Sequence, residues 1–429
     1  MKVLCLLSLL YLSVNSLPAN EFTGKKWVVL VAGSNTWDNY RHQADIYHAY
    51  HTVRANGIAD ENIIVMHYDD IANNKQNKYP GKVYNAPTGH NGTDVYPGVP
   101  KHYTGEDVNP ETFLKVLAGD EGLKKAGKRV LESGPNDHVF VFFDDHGAPD
   151  VVCFPHKDLK AMDLIDTLKQ MHHDKKYAKL VFYIEACESG SMFYKILPTD
   201  INIYATTASK PDEGSDACYY DKDIKNYLGD TYSVNWIINT ESATKATTFQ
   251  EQFDYVKANT PNSVPQQYGD LSIAKLPISL FLGSRKNPQP IGPINVNINR
   301  DVGRNRDVPL LLAQKSGDFE RYQQLVTGRQ FVDNMFSEYV NSIQHLMNAN
   351  NDVFNTRLEL NNRECYHNFV DTFKEQCLQI TKHTYVLGKL YTFVNICEQI
   401  NDLNAAKALN QLIQYCQQNL PNGYPNAIL

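Results

Sequence analysis

Short runs of consecutive apolar residues, each ending in small or polar positions, alternate along the first two thirds of the chain with segments whose apolar residues recur every three or four places. Trp27-Val28-Val29-Leu30-Val31 runs into Ala32-Gly33-Ser34-Asn35, and further runs cover Ile63 to Tyr68, Val139 to Phe143, Leu180 to Ile184 and Ile201 to Ala205. Apolar runs of this length without alternation predict strands buried on both faces. Between them a helix is predicted from about Ala44 to Asn56, closed by Gly57. Another starts at Asn109 with Pro110 in its first turn, carries Phe113, Leu114 and Leu117, and ends at Gly119. Leu159, Met162, Ile165, Leu168 and Met171 recur at threes and predict an amphipathic crossover helix. Strand, helix, strand repeated in this way implies parallel strands joined by right-handed crossovers. An α/β sandwich from about 25 to 283 is the expected architecture.

The pattern then changes. Thr206 to Asp216 is polar and reads as a loop, and Ser284 to Pro309 holds Pro288, Pro290, Pro293 and Pro309 without any apolar period. The second stretch is expected to be a protease-accessible linker with no packed element. Beyond it Phe331, Met335, Tyr339 and Ile343 step by fours, and similar spacing recurs from Tyr385 to Leu412, which predicts a separate all-helical domain. The expected division is 1–16, 17–283, 284–325 and 326–429.

Composition narrows the classes. A net charge of -7 with no cluster of Lys and Arg among aromatics argues against a nucleic-acid partner. Met1-Lys2, a short apolar core and Val14-Asn15-Ser16 have the form of a secretory signal peptide cut after Ser16, and no later segment is long and apolar enough to span a bilayer. In that compartment Asn91-Gly92-Thr93 is a glycosylation acceptor. Of the 8 cysteines, Cys365, Cys377, Cys397 and Cys416 cluster at the end and read as two disulfides of unspecified pairing. Cys187 lies outside that set and remains available as a thiol.

The candidate chemistry sits at the carboxyl ends of two predicted strands, the edge of an open parallel sheet where loops converge on a crevice. One delivers Asp144-Asp145-His146-Gly147 and the other Glu185-Ala186-Cys187-Glu188-Ser189-Gly190-Ser191. A thiol with an ordinary pKa near 8.5 is mostly protonated at neutral pH, so Cys187 as a nucleophile needs a base, and His146 is the nearest candidate. Gly147 permits close approach of a substrate, and its N–H with that of Cys187 would stabilise an oxyanion. An inert buried cysteine with a solvated histidine is the plainer alternative. A metal-hydrolase cluster of Asp144, Asp145 and His146 is disfavoured, because neighbouring residues on a strand face opposite ways and no second histidine motif converges. No metal and no cofactor is expected.

These residues carry a resemblance. Asp145-His146-Gly147, the stretch from Tyr183 to Met192, Ala32-Gly33-Ser34-Asn35, and Asn39-Tyr40-Arg41-His42-Gln43-Ala44-Asp45 resemble the legumain family of asparaginyl endopeptidases. The match extends through Tyr204 to Ala208, Ala217 to Asp221, Tyr227 to Asp230 and, weakly, the four terminal cysteines. The resemblance implies a caspase-like, mostly parallel sheet flanked by helices, followed by a small all-helical, disulfide-stapled prodomain. It also implies a zymogen activated by acid-dependent loss of that prodomain, cleaving after asparagine. On the family's pattern Cys187 and His146 form the dyad, Asn39 orients the imidazole and Gly147 supplies the oxyanion donor. Arg41, His42, Glu185, Ser215 and Asp230 form the primary pocket, and Asp145 is the residue linked with a ligase side activity. Cys365 would pair with Cys397, and Cys377 with Cys416. The resemblance further implies protein and peptide substrates with exposed asparagine, cystatin-type inhibitors, a monomer, and residence in the secretory pathway, lysosomal, endosomal or secreted.

The pocket chemistry agrees with that substrate class. A carboxamide offers an acceptor and a donor at one end, so Arg41 opposite Glu185 and Asp230 satisfies both. Ionised aspartate meets two carboxylates there, whereas the protonated acid regains a donor, so aspartyl cleavage is expected only at acid pH. In the C-terminal segment acidic residues outnumber basic ones, which argues against a bulk electrostatic latch. Asp307-Val308-Pro309-Leu310 resembles the family's activation region, and Asn299, Asn305 and Asp318 are alternative self-processing sites. A non-catalytic binding or inhibitory homologue and a transamidase-type subunit are the rival readings. Retention of both Cys187 and His146 opposes the first, and the missing membrane tail opposes the second.

Overall fold

The computed structural model describes residues 22–87, 92–285, 301–347 and 352–420, so the expected leader, the acceptor Asn91 and the prolines at 288, 290 and 293 lie outside the described residues. Five strands, β1 (Lys26–Ala32), β2 (Ile63–Met66), β3 (His138–Asp144), β4 (Lys179–Glu185) and β5 (Ile203–Thr207), pair in parallel in the order β5-β4-β3-β1-β2. Every residue of β2, β3 and β5 is buried, which is why these segments read as unbroken apolar runs. Alternate residues feed two cores. Val28, Leu30, Phe140, Phe142, Val181 and Tyr183 pack on one face. Val29, Val31, Val141, Phe143, Phe182 and Ile184 pack on the other.

The first face is covered by α1 (Tyr40–Ala55), with α2 (Pro110–Ala118) and α3 (Ala161–His173) on the second. Asn109 caps α2 by accepting from the Thr112 N–H, and Gly119 closes it at φ 69°, as the sequence signals indicate. Several boundaries differ from expectation: β2 ends at Met66, two residues before Tyr68, and β5 spans Ile203–Thr207 where Ile201 to Ala205 was expected. α1 begins at Tyr40, four residues before Ala44, because Arg41, His42 and Gln43 are buried polar residues that hide the apolar period. Leu159 belongs to a strand of a small antiparallel ribbon (Gly147–Ala148, Val151–Cys153, Asp158–Lys160) that precedes α3. The stretch from Asp216 onward, which has no apolar run, forms the hairpin β6 (Asp216–Asp221) and β7 (Asn226–Asp230). α4 (Thr231–Ser242) and α5 (Phe249–Asn259) complete the first layer, and β8 (Gln266–Gly269) closes the sheet edge antiparallel to β5.

The expected linker 284–325 needs correction over its described part. Gly303–Arg304 is a strand, β9, on β6, Asn305 is buried, and α6 (Val308–Ser316) places Val308 and Leu312 against Ala217 and Tyr227. The physical reason is that this segment borrows its partners from the hairpin, so its own sequence shows no period. α7 (Phe319–Ile343) runs straight through the expected boundary at 325, capped by the Asp318 side chain. With α8 (Arg363–Gln376), the short helices Thr384–Lys389 and Tyr391–Cys397, and α9 (Asp402–Asn419), it builds a helical domain around Val332, Phe336, Phe369, Phe393 and Leu412. Cys365 is bonded to Cys397 and Cys377 to Cys416, with Cα–Cα distances of 5.7 and 5.3 Å. This core continues into Ala148, Val151 and Cys153 of the ribbon, so the helical domain rests on the loop that follows His146. Among the described residues no helix is long and apolar enough to cross a membrane.

Candidate active site

The register of the central strands delivers the two candidate groups side by side. Asp144 pairs with Glu185, and the Asp145 N–H donates to the Glu185 carbonyl at 3.1 Å. His146 and Cys187 follow two residues beyond that pair on adjacent strands, which in a sheet run about 4.8 Å apart. A glycine is required at 147, since a Cβ there would lie 2.3 Å from the Cys187 carbonyl oxygen and 3.1 Å from the Ala186 Cβ. Any side chain would force the two strand ends apart.

Hydrogen bonding fixes the imidazole's tautomer. The Asn39 Nδ2 donates to the Asn35 carbonyl at 2.9 Å, so its Oδ1 faces His146 Nε2 at 2.8 Å as the acceptor. Nε2 therefore carries the proton and buried Nδ1 keeps the lone pair a base needs. Burial first, then the Arg41 and Arg306 guanidinium groups, hold His146 well below the usual histidine range, so it is neutral. Cys187 accepts from the Ser215 N–H at 3.3 Å. Burial raises its thiol, with Arg306 opposing, so the resting pair is thiol and neutral imidazole.

The recess beside them is walled by α1, the end of β4 and the turn from β7 into α4. Arg41 is fully buried, and its Nε donates to Asp230 Oδ1 at 3.0 Å. His42 bonds Ser34 Oγ through Nδ1 (2.7 Å), and its Nε2 lies 3.7 Å from Asp230 Oδ2. Its ring meets His146 edge-on with centroids 5.0 Å apart. Glu185 accepts from Ser233 Oγ at 3.3 Å. The pocket residues expected from sequence thus converge, together with Asp45 and Asp144, which sequence reasoning had not placed in the wall. Asp45 accepts from the Asp230 N–H at 2.9 Å and from Asn85 Nδ2 at 2.6 Å. Its position four residues after Arg41 on one helix was the available signal.

The recess holds a side chain of the same molecule. Asn305 accepts at Oδ1 from Arg41 Nε (3.0 Å) and donates from Nδ2 to Ser215 Oγ (2.8 Å). Its backbone N–H donates to the Ser215 carbonyl at 3.0 Å, continuing the antiparallel pairing of Gly303 with Ala217 and Arg304 with Asp216. Asp230 also hydrogen-bonds the Asn305 side chain, while Glu185 bonds Ser215 and Ser233. Arg306 follows, donating to the Gly147 carbonyl at 3.1 Å and pairing with Glu188. Asn305 was one of three alternative processing sites in the sequence; its seat in the recess depends on strand pairing that the sequence does not display.

Charge in the recess is crowded. Asp45, Asp144, Glu185 and Asp230 cluster by the guanidinium of Arg41, and burial raises all four carboxyls, with neighbouring carboxylates raising Asp45, Asp144 and Glu185 further. Arg41 pulls Asp230 partly back. One sequence argument is corrected here: His42 does converge on Asp144, Asp145, His146 and Asp230, with ligand atoms of the sets His42, Asp145, His146 and His42, Asp144, Asp230 within 4.8 Å of one another. Crossing from α1, it reaches residues on the neighbouring strand that share no sequence motif with it. The Arg41 guanidinium occupies the same cluster as its fixed positive charge.

Around the recess the helical domain places cations on carboxylates of the catalytic layer. Asp150, fully buried, accepts from Arg363 Nε (3.1 Å) and pairs with His367 Nε2 (2.9 Å). Asp158 pairs with Lys374 at 2.7 Å, Lys160 with Asp371 at 2.7 Å, and Asp38 with Arg321. The excess of acid in the C-terminal segment does not decide the contact, because individual ion pairs of both polarities bridge it.

Comparison with known proteins bears on the whole chain. Residues 26–284 match the Peptidase C13 family and residues 320–416 match the legumain prodomain. The chain is 44% identical over 399 residues to legumain of Rattus norvegicus, spanning 88% of this chain and 90% of that protein. It is 43% identical to legumain of Homo sapiens over 92% and 95% of the two chains. It is 40% identical to hemoglobinase of Schistosoma japonicum, over 87% and 89%.

Proposed function

The chain belongs to the peptidase C13 family, and from that premise we propose that it is the closed precursor of an asparaginyl cysteine endopeptidase whose nucleophile is Cys187 and whose base is His146. The observation that carries the reading is an asparagine of the chain itself, Asn305, which opens the 3-10 turn Asn305–Asp307 directly after the strand Gly303–Arg304, with its N–H on the Ser215 carbonyl and its carboxamide on Arg41 and Ser215. In the reaction the Cys187 thiol gives its proton to His146 Nδ1 as sulfur bonds to the asparaginyl carbonyl carbon. The oxyanion is stabilised by the N–H groups of Gly147 and Cys187. The C–N bond then breaks, His146 returns the proton to the leaving amine, and water hydrolyses the thioester with His146 again as base. Asn39 keeps Nδ1 aimed at sulfur throughout.

Arg41, His42, Glu185, Ser215 and Asp230 select the carboxamide, and aspartate enters when acid protonates it. An amine in place of water at the thioester would give the ligase side activity. The segment 303–306 occupies the recess until acid loosens the helical domain, and the bond between Asn305 and Arg306 is the self-processing site. Processing of domains 17–283, 284–325 and 326–429 along these lines fits a monomer of the secretory pathway, lysosomal, endosomal or secreted, with cystatin-type proteins as inhibitors. The test is turnover of a fluorogenic Ala-Ala-Asn peptide by acid-treated protein. The wild type is expected to cleave it and Cys187→Ala to fall by at least about a thousandfold. Equal turnover by both would defeat the assignment.

A further inference from the structure

Each candidate catalytic residue is followed at once by an acceptor facing the same guanidinium. Gly147 follows His146, Glu188 follows Cys187, and the group between them belongs to Arg306, the residue directly after the asparagine in the recess. The acceptors are rigidly placed. Glu188 adopts φ 48°, its N–H donates to the Glu213 carbonyl at 2.7 Å, and its carbonyl accepts from Ser191 Oγ at 2.6 Å. Its side chain is buried beneath Arg306, the first of the cations acting on it, and is also acted on by Arg357; both lie beyond the cut after Asn305, while Arg304, the last of the three, stays on the catalytic fragment. Once Arg306 and Arg357 leave, a fixed carboxylate and a carbonyl stand without the guanidinium that joins them, on the leaving-group side of the scissile bond.

We propose that Glu188 and the Gly147 carbonyl form a binding subsite for a cationic side chain, so that the mature enzyme favours Asn-Arg and Asn-Lys bonds over asparagine followed by a neutral or acidic residue. The inference rests on the endopeptidase reading above. Arg306 is the occupant that defines the geometry, a guanidinium bonded to a carbonyl and a carboxylate together, an arrangement that rewards a charged, multi-donor group over a neutral one of the same shape. Burial raises the Glu188 carboxyl in the closed form, and removal of the covering segment returns it to water and toward its ionised form.

The experiment measures kcat/KM of the acid-matured, full-length-derived enzyme on quenched peptides Ala-Ala-Asn-Xaa with Xaa arginine, citrulline or glutamate. Arginine is expected to exceed its neutral isostere citrulline by about tenfold or more, with glutamate below both. Glu188→Gln should collapse the arginine-to-citrulline ratio toward unity, and Asp150→Asn, a residue of the docking contact, should preserve it. Equal turnover of arginine and citrulline by the wild type would overturn the subsite while leaving the endopeptidase intact. A ratio lost equally in Asp150→Asn would also overturn it, assigning the preference to the general field of the surface. Absence of turnover on all three peptides would overturn the endopeptidase reading and the subsite with it.

Discussion

Two groups of carboxylates, one in the recess and one at the docking face, are neutralised in opposite ways. In the recess Asp45, Asp144, Glu185 and Asp230 share one guanidinium, and their carboxyls are pushed above the usual range by burial, the first three also by neighbouring carboxylates. At the docking face each acid meets a cation from across the contact: Asp150 with Arg363 and His367, Asp158 with Lys374, Asp371 with Lys160. Burial alone would raise Asp371, yet its bonds to Lys160 and Lys374 outweigh that and hold it below the ordinary range. Protons therefore stabilise the recess and weaken the pairs made by Asp371. One acidification firms the recess and loosens its cover, which is the behaviour an acid-activated precursor requires.

The sharpest way to break the comparison is to remove the shared cation. Arg41→Ala leaves the recess carboxylates without their positive charge, and the cost expected for breaking a buried pair, about 3–5 kcal/mol, should appear as a lowered Tm and a loss of Asn-peptide turnover beyond a thousandfold. Thermal unfolding on the Cys187→Ala background separates the two effects. Retained stability near neutral pH would show that the carboxyls are already protonated and need no cation.

The next largest effect belongs to the docking face. Asp150→Asn takes the charge from under Arg363 and His367, and the zymogen should then activate at a pH about one unit higher, corresponding to about 1–3 kcal/mol of lost contact. A pH series of activation, followed by gel shift, reads this directly. An unchanged activation pH would move the latch elsewhere.

A smaller and smoother difference separates the regions in equilibrium stability. The recess carboxyls have raised pKa values in the folded state, so their contribution is complete below about pH 4, where ordinary carboxyls bind protons, and is lost as pH rises through the raised values. The matured catalytic domain should lose Tm as pH rises above the ordinary carboxyl range. Glu185→Gln should flatten that slope. Asp371 has the opposite sign: its contribution is present above the ordinary aspartate value and lost as pH falls through the depressed one. Because the Lys160–Asp371 pair is partly exposed, Lys160→Met should raise the activation pH by only a few tenths, in keeping with about 0.5 kcal/mol.

Why some of this was legible from sequence and some not follows from where each element finds its partners. β3 and β4 bury both faces, so their apolar runs point directly to the strand ends bearing His146 and Cys187. α2 carries its own cap and stop in Asn109, Pro110 and Gly119. The start of α1 was hidden because the residues that build the recess, Arg41 and His42, are polar and buried where a helix normally shows apolar positions. The segment from Gly303 to Asn305 looks like linker because its hydrogen bonds and its recess are provided by residues some ninety positions away, Ser215 to Ala217. Local pattern reports what a segment can bury alone; a strand that completes another strand's edge leaves no such trace. For the same reason the net charge of the helical domain misled, since the contact is made by individual ion pairs of both polarities.

The account turns on Asn305 being presented to Cys187 as a substrate. Intact-mass measurement of the acid-matured protein tests this most directly, with Cys187→Ala as the uncut reference. The expected result is a catalytic fragment whose last residue is Asn305 and a partner beginning at Arg306, both lost in Asn305→Gln. A catalytic fragment that extends past an intact Asn305–Arg306 bond while turning over Asn peptides would contradict it.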